Sequence, residues 1–83
     1  MQILYFAWVR EKVGTAGEEI ALPESVRDVG GLMRHLGTLS PGHAEAFANP
    51  RAVRAAVNQD FAHLSDLVSP GDEVAFFPPV TGG

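Results

Sequence analysis

The groups in this 83-residue chain best suited to chemistry lie at its end, in Phe76-Phe77-Pro78-Pro79-Val80-Thr81-Gly82-Gly83. Gly83 carries a carboxylate, a poor electrophile until it is activated. Made into an acyl-adenylate it gains a good leaving group, and a sulfur nucleophile that displaces the adenylate leaves a thiocarboxylate. That sulfur is nucleophilic in turn, and delivering it to an acceptor regenerates the carboxylate. The neighbouring residues suit this use. Gly82 and Gly83 lack Cβ and can thread a narrow channel. Pro78 and Pro79 stop a ladder-paired strand and favour an extended arm. Extended, the residues beyond Phe77 span roughly 20 Å, enough to reach into a neighbouring subunit.

No other chemical constellation competes with the tail. The acidic residues fall in turns and at helix starts, the serines read as caps, and no glycine-rich loop of the G-x-x-x-x-G-K type occurs. His35, His43 and His63 are scattered through different elements without metal-ligand spacing, so solvated or hydrogen-bonded histidines are expected. The absence of Cys excludes a disulfide framework and a thiolate nucleophile. A net charge of −4 with six Lys plus Arg argues against nucleic acid and anionic membrane as partners. No apolar run approaches the roughly 20 residues of a membrane span, and Met1 leads into an apparent strand with no basic segment before it, so a cytoplasmic protein is expected.

The elements that hold the tail follow from periodicity. Residues 2–9 read as a strand with Ile3, Tyr5, Ala7 and Val9 on one face and Leu4, Phe6 and Trp8 on the other. Arg10 to Gly14 reads as a helical turn closed by glycine, and Glu18 to Leu22 as a second strand antiparallel to the first. A helix begins at a capping box of Ser25 and Asp28, carries Val26, Val29, Leu32, Met33 and Leu36 to the core, and stops at Gly37. Gly30-Gly31 within it implies a close backbone approach, expected against the sheet. Ser40-Pro41 starts a short helix with Ala44, Phe47 and Ala48 on its buried side, and Asn49-Pro50 ends it. Ala52 to Val57 alternates as a strand, Asn58 to Asp60 turns and throws Phe61 forward, and Ser69-Pro70-Gly71-Asp72 is a further turn. Glu73 to Phe77 is the last strand, with Val74 and Phe76 on one face and Ala75 and Phe77 on the other. Phe6, Phe61 and Phe77 are then candidates for one exposed patch.

This order predicts an α+β fold: a mixed sheet with one main helix on one face and short helices beside it, the ubiquitin-like β-grasp arrangement. Residues 1–77 would form the domain and 78–83 the extended tail. Here the chain resembles the small, sulfur-carrying subunit of molybdopterin synthase. The resemblance rests on Phe6-Ala7, Val9-Arg10-Glu11 and Gly14, on Ala56-Val57-Asn58, and on the block from Gly71 to Gly83. It implies molybdenum cofactor biosynthesis, with Gly83 adenylated by an E1-like adenylyltransferase that uses ATP-Mg, sulfur supplied by a sulfurtransferase, and the tail received by the large synthase subunit. There the thiocarboxylate would convert cyclic pyranopterin monophosphate to molybdopterin, the catalytic side chains belonging to the large subunit. This chain would bind no cofactor alone. Phe6, Phe61 and Phe77 would dock on the partner, and Pro78, Pro79, Val80, Thr81 and Gly82 would form the inserted arm that ends at Gly83. Two other readings use the same end group: a sulfur carrier for thiamine synthesis or tRNA thiolation, and a ubiquitin-like modifier joined to lysine.

Overall fold

Two apolar strands from opposite ends of the chain lie side by side at the centre of the molecule. In the computed structural model, which describes residues 1–79, β1 (Gln2–Tyr5) runs parallel to β5 (Glu73–Phe77), from Gln2 opposite Glu73 to Tyr5 opposite Phe76. β2 (Gly17–Glu19) pairs antiparallel on the outer side of β1. On the other flank β3 (Arg54–Val57) pairs antiparallel with β5, and β4 (Asp60–Ala62) with β3. The order β2-β1-β5-β3-β4 makes a five-stranded mixed sheet. Alternation sends Ile3, Tyr5, Val74, Phe76 and Ala55 to one side, where all are buried.

That side is covered by α2 (Val29–Leu36), whose Val29, Leu32, Met33 and Leu36 are buried in the same cluster. Each large apolar side chain so buried contributes about 1.5–3 kcal/mol against the entropy of ordering. α1 (Ala7–Val13) and α3 (Pro41–Ala46) close the end of the core, adding Val9, Ala46 and Phe47. Phe47 meets Phe76 edge-on at 5.0 Å between ring centroids. The result is the expected β-grasp arrangement, one main helix on one face with short helices beside it.

Several elements differ from the sequence reading, each for a tertiary reason. The first strand stops at Tyr5 rather than Val9. Beyond Tyr5 the last partners are used: Tyr5 N–H donates to Ala16 O and Phe6 N–H to Phe76 O, just before Pro78 ends β5. Ala7 then takes φ 53°, and the chain turns into α1. Gly14 closes that helix in the left-handed region at φ 94°, its N–H on Arg10 O at 2.8 Å, as its position after Val13 implied.

The main helix starts three residues later than the Ser25 box suggested. Arg27 O accepts from Val68 N–H, Val29 N–H donates to Asp66 O, and Asp28 bridges Leu67, so this segment is held extended by long-range pairing. Asp28 is the cap, its carboxylate accepting Gly31 N–H at 2.7 Å. Gly30 does allow a close approach, but to the loop rather than the sheet: its N–H donates to Leu64 O, and a Cβ there would lie 3.3 Å from that oxygen. In α3 the buried positions are His43 and Ala46, with Phe47 just beyond, while Ala44 and Ala48 are exposed. The close contact in α3 is Gly42, where a Cβ would clash with the Lys12 carbonyl oxygen.

Candidate functional site

The face of the sheet turned away from α2 carries the candidate docking residues. Leu4, Ala75, Ala56 and Phe61 stand in register across β1, β5, β3 and β4, two alanines between two large apolar side chains. Phe77 occupies the next outward position on β5, opposite Arg54. Its ring lies 6.0 Å from that of Phe61 at an interplanar angle of 57°. Phe61 is 84% exposed, the most exposed large apolar side chain among the described residues.

Local sequence explains why Phe61 projects there. Asn58 and Gln59, both at positive φ (50° and 72°), make the two-residue turn of the β3–β4 hairpin. Asn58 also fastens that hairpin to β5: its Oδ1 accepts from Glu73 N–H and its Nδ2 donates to Asp72, both at 3.0 Å. Phe61 therefore sits on a braced hairpin rather than a loose loop.

Phe6 reaches the same end of the sheet by a different route. It is 49% exposed at the junction of β1 and α1, and its N–H donates to Phe76 O at 3.0 Å. The aromatic pair on the open face is Phe61 with Phe77; Phe6 lies beside the strand that carries Phe77. Pro78 and Pro79 follow at once, both partly exposed. Val80, Thr81, Gly82 and Gly83 lie outside the described residues.

A polar network on the covered side escaped the sequence reading. Glu18 Oε2 accepts from Tyr5 OH at 2.7 Å and lies 2.7 Å from His43 Nε2; His43 Nδ1 lies 2.7 Å from Ser40 Oγ. Burial pushes the Glu18 carboxyl up, but the hydrogen bonds from His43 and Tyr5 and the His43 charge outweigh it and leave the group below its usual value. Burial, then the hydrogen bond and charge of Glu18, hold the Tyr5 hydroxyl far above its usual value. His43 is thus hydrogen-bonded, as expected of the histidines. No local signal links it to Glu18, 25 residues away. Its Ser40 partner also caps α3, accepting His43 N–H at 3.1 Å. The network fastens α3 to β1 and β2.

No helix among the described residues is long and apolar enough to cross a membrane. The site therefore combines an open apolar sheet face, an aromatic pair at the end of the last strand, and a double proline leading away from it.

Known proteins are similar to this chain in sequence over nearly their whole length. The molybdopterin synthase sulfur carrier subunit of Escherichia coli is 42% identical over 83 residues, covering all of this chain and 99% of that protein. The human protein of the same name is 33% identical, covering all of this chain and 93% of its own. Among solved structures, SAMP1 from Haloferax volcanii superposes with a TM-score of 0.74 at 25% identity, covering 100% of this chain and 98% of that one. A putative molybdopterin converting factor, subunit 1, from Pyrococcus furiosus gives 0.69 at 27%, with 95% of each chain covered. The model of the ThiS family matches residues 3–83, through the open-face residues and the Gly-Gly end alike, and the chain belongs to that family.

Proposed function

We propose that this chain is the sulfur carrier subunit of a molybdopterin synthase, acting through a thiocarboxylate on Gly83. The observation that carries the reading is the continuity of the last strand: Phe77, paired with Phe61 on the uncovered face, leads directly into Pro78-Pro79 and the Gly-Gly end. A partner that covers the apolar face is thereby aligned to receive the tail.

The chemistry proceeds in three balanced steps. An E1-like adenylyltransferase joins the Gly83 carboxylate to the α-phosphate of ATP-Mg, releasing pyrophosphate. A sulfurtransferase delivers sulfur at the oxidation level of sulfide, which displaces AMP and leaves the thiocarboxylate. In the large subunit the thiocarboxylate sulfur attacks a side-chain carbon of cyclic pyranopterin monophosphate and displaces an oxygen substituent there, giving a thioester. Water then cleaves the acyl–sulfur bond, which leaves the sulfur on the pterin and returns the Gly83 carboxylate; two carriers used in turn provide both dithiolene sulfurs. The chain contributes the docking face of Phe6, Phe61 and Phe77, the arm from Pro78 to Gly82, and the reacting group at Gly83. Its place of action is the cytoplasm, where ATP is available.

A second reading, a protein modifier joined through Gly83 to lysine, is favoured by the likeness to SAMP1. Incubation with an adenylating enzyme, ATP and a sulfur source, followed by intact mass, separates the two. A carrier gains the mass of one oxygen-to-sulfur exchange, whereas a modifier gives conjugates on other proteins and no such gain. Capture of a large synthase subunit, set against a thiamine or tRNA thiolation partner, then fixes the pathway.

A further inference from the structure

Behind the β3–β4 hairpin a cleft of about 490 Å³ opens toward α2. Val29, Met33, Ala55 and Ala62 line its apolar side, and Arg51, Arg54 and His63 also border it. None of the chain's ten acidic residues is among the lining. This is unexpected in a protein of net charge −4. The one ion pair among the described residues, His43 with Glu18, lies elsewhere. Arg54 donates one N–H to Arg51 O at 2.9 Å, which draws the two arginines together. Arg51 is exposed. Guanidinium groups beside an apolar recess suit a ligand that offers carboxylates next to an apolar side chain.

The apolar floor of the cleft faces away from the open face, and Arg54, opposite the outward Phe77, stands where the two adjoin. Ala55 and Ala62 point toward α2, whereas their neighbours Ala56 and Phe61 point the other way. β4 is also the edge of the sheet, where an extended segment can lie alongside it. Leu64, 47% exposed, adds apolar surface at the mouth.

We propose that this cleft docks an acidic, extended peptide segment of a partner protein, seating a leucine-sized side chain between α2 and Ala62 and pairing adjacent carboxylates with Arg51 and Arg54. Charge complementarity commits the occupant: a basic or neutral segment would leave both guanidinium groups without a counter-charge.

The test titrates the ¹⁵N-labelled full chain with a capped peptide Glu-Glu-Leu-Leu-Glu-Glu and, in parallel, with Lys-Lys-Leu-Leu-Lys-Lys. The expected result is saturable shifts of the Met33, Ala55, Ala62 and His63 amides with the acidic peptide alone, weakening as salt is raised. Arg51→Glu should weaken binding about tenfold while Arg51→Lys retains most of it. Arg51 is exposed and caps no helix, so an unchanged background spectrum verifies the fold of each variant. No shifts at high peptide concentration, equal binding of the basic peptide, or shifts confined to Leu4, Ala75 and Phe77 would each overturn the proposal.

Discussion

Tyr5 and Glu18 share a 2.7 Å hydrogen bond between the first two strands, from the phenol to a carboxylate that also meets His43. Burial and the adjacent carboxylate raise the Tyr5 hydroxyl above its usual 10.0. A group whose folded value is raised contributes stability that is complete below the unfolded value and is lost as pH climbs beyond it. Stability should therefore decline above about pH 10, by one proton's slope. Tyr5 is the chain's one tyrosine, so phenolate absorbance reads it directly and should appear together with unfolding. Tyr5→Phe should cost about 1 kcal/mol at neutral pH and remove this alkaline dependence. Phenolate formation in the folded protein near its usual value would refute the account.

Glu18 supplies the acid limb. Its carboxyl lies below its usual 4.5 in the folded chain, held there by His43 and Tyr5 against the upward pull of burial. For a depressed group the stability is present above the unfolded value and disappears as pH falls through the folded one. Denaturation followed by the fluorescence of Trp8, the one tryptophan, should show stability falling below about pH 4.5. Glu18→Gln should flatten that limb.

Gln59 holds φ 72° in the hairpin turn, a conformation that glycine adopts without a Cβ penalty. Gln59→Gly should raise stability by about 0.5–1 kcal/mol, seen as a higher denaturation midpoint. Asn58→Ala should do the opposite, since it removes two hydrogen bonds that fasten the hairpin to β5.

Gly42 in α3 faces the Lys12 carbonyl of α1, where an added Cβ meets backbone rather than a yielding side chain. Gly42→Ala should destabilise by about 1–3 kcal/mol, measurable by urea unfolding. The same change at Gly71, which has open space around it, should be nearly neutral.

Phe61 and Phe76 test docking against core. Phe76 is fully buried and Phe61 is 84% exposed. Phe76→Ala should cost about 3–5 kcal/mol, whereas Phe61→Ala should leave stability within about 0.5 kcal/mol. On the proposed function, Phe61→Ala weakens capture of the large subunit. Deletion of Gly83 leaves folding and capture intact and abolishes sulfur transfer.

The sequence by itself determined the features written in local chemistry. Pro78 ends β5 at Phe77 because proline cannot donate to a ladder, Ser40-Pro41 starts α3, and Gly14 stops α1. The alternation of Glu73 to Phe77 correctly divided the buried Phe76 from the outward Phe77. Only the tertiary structure decided where pairing partners run out: β1 stops at Tyr5, and the segment before α2 is held extended by Asp66 and Val68. It also assembled the row from Leu4 to Phe61 and the link from Glu18 to His43. Local sequence encodes turns, caps and which side of a strand faces inward. Register and cross-strand neighbours depend on residues far apart in the chain, which no local pattern specifies.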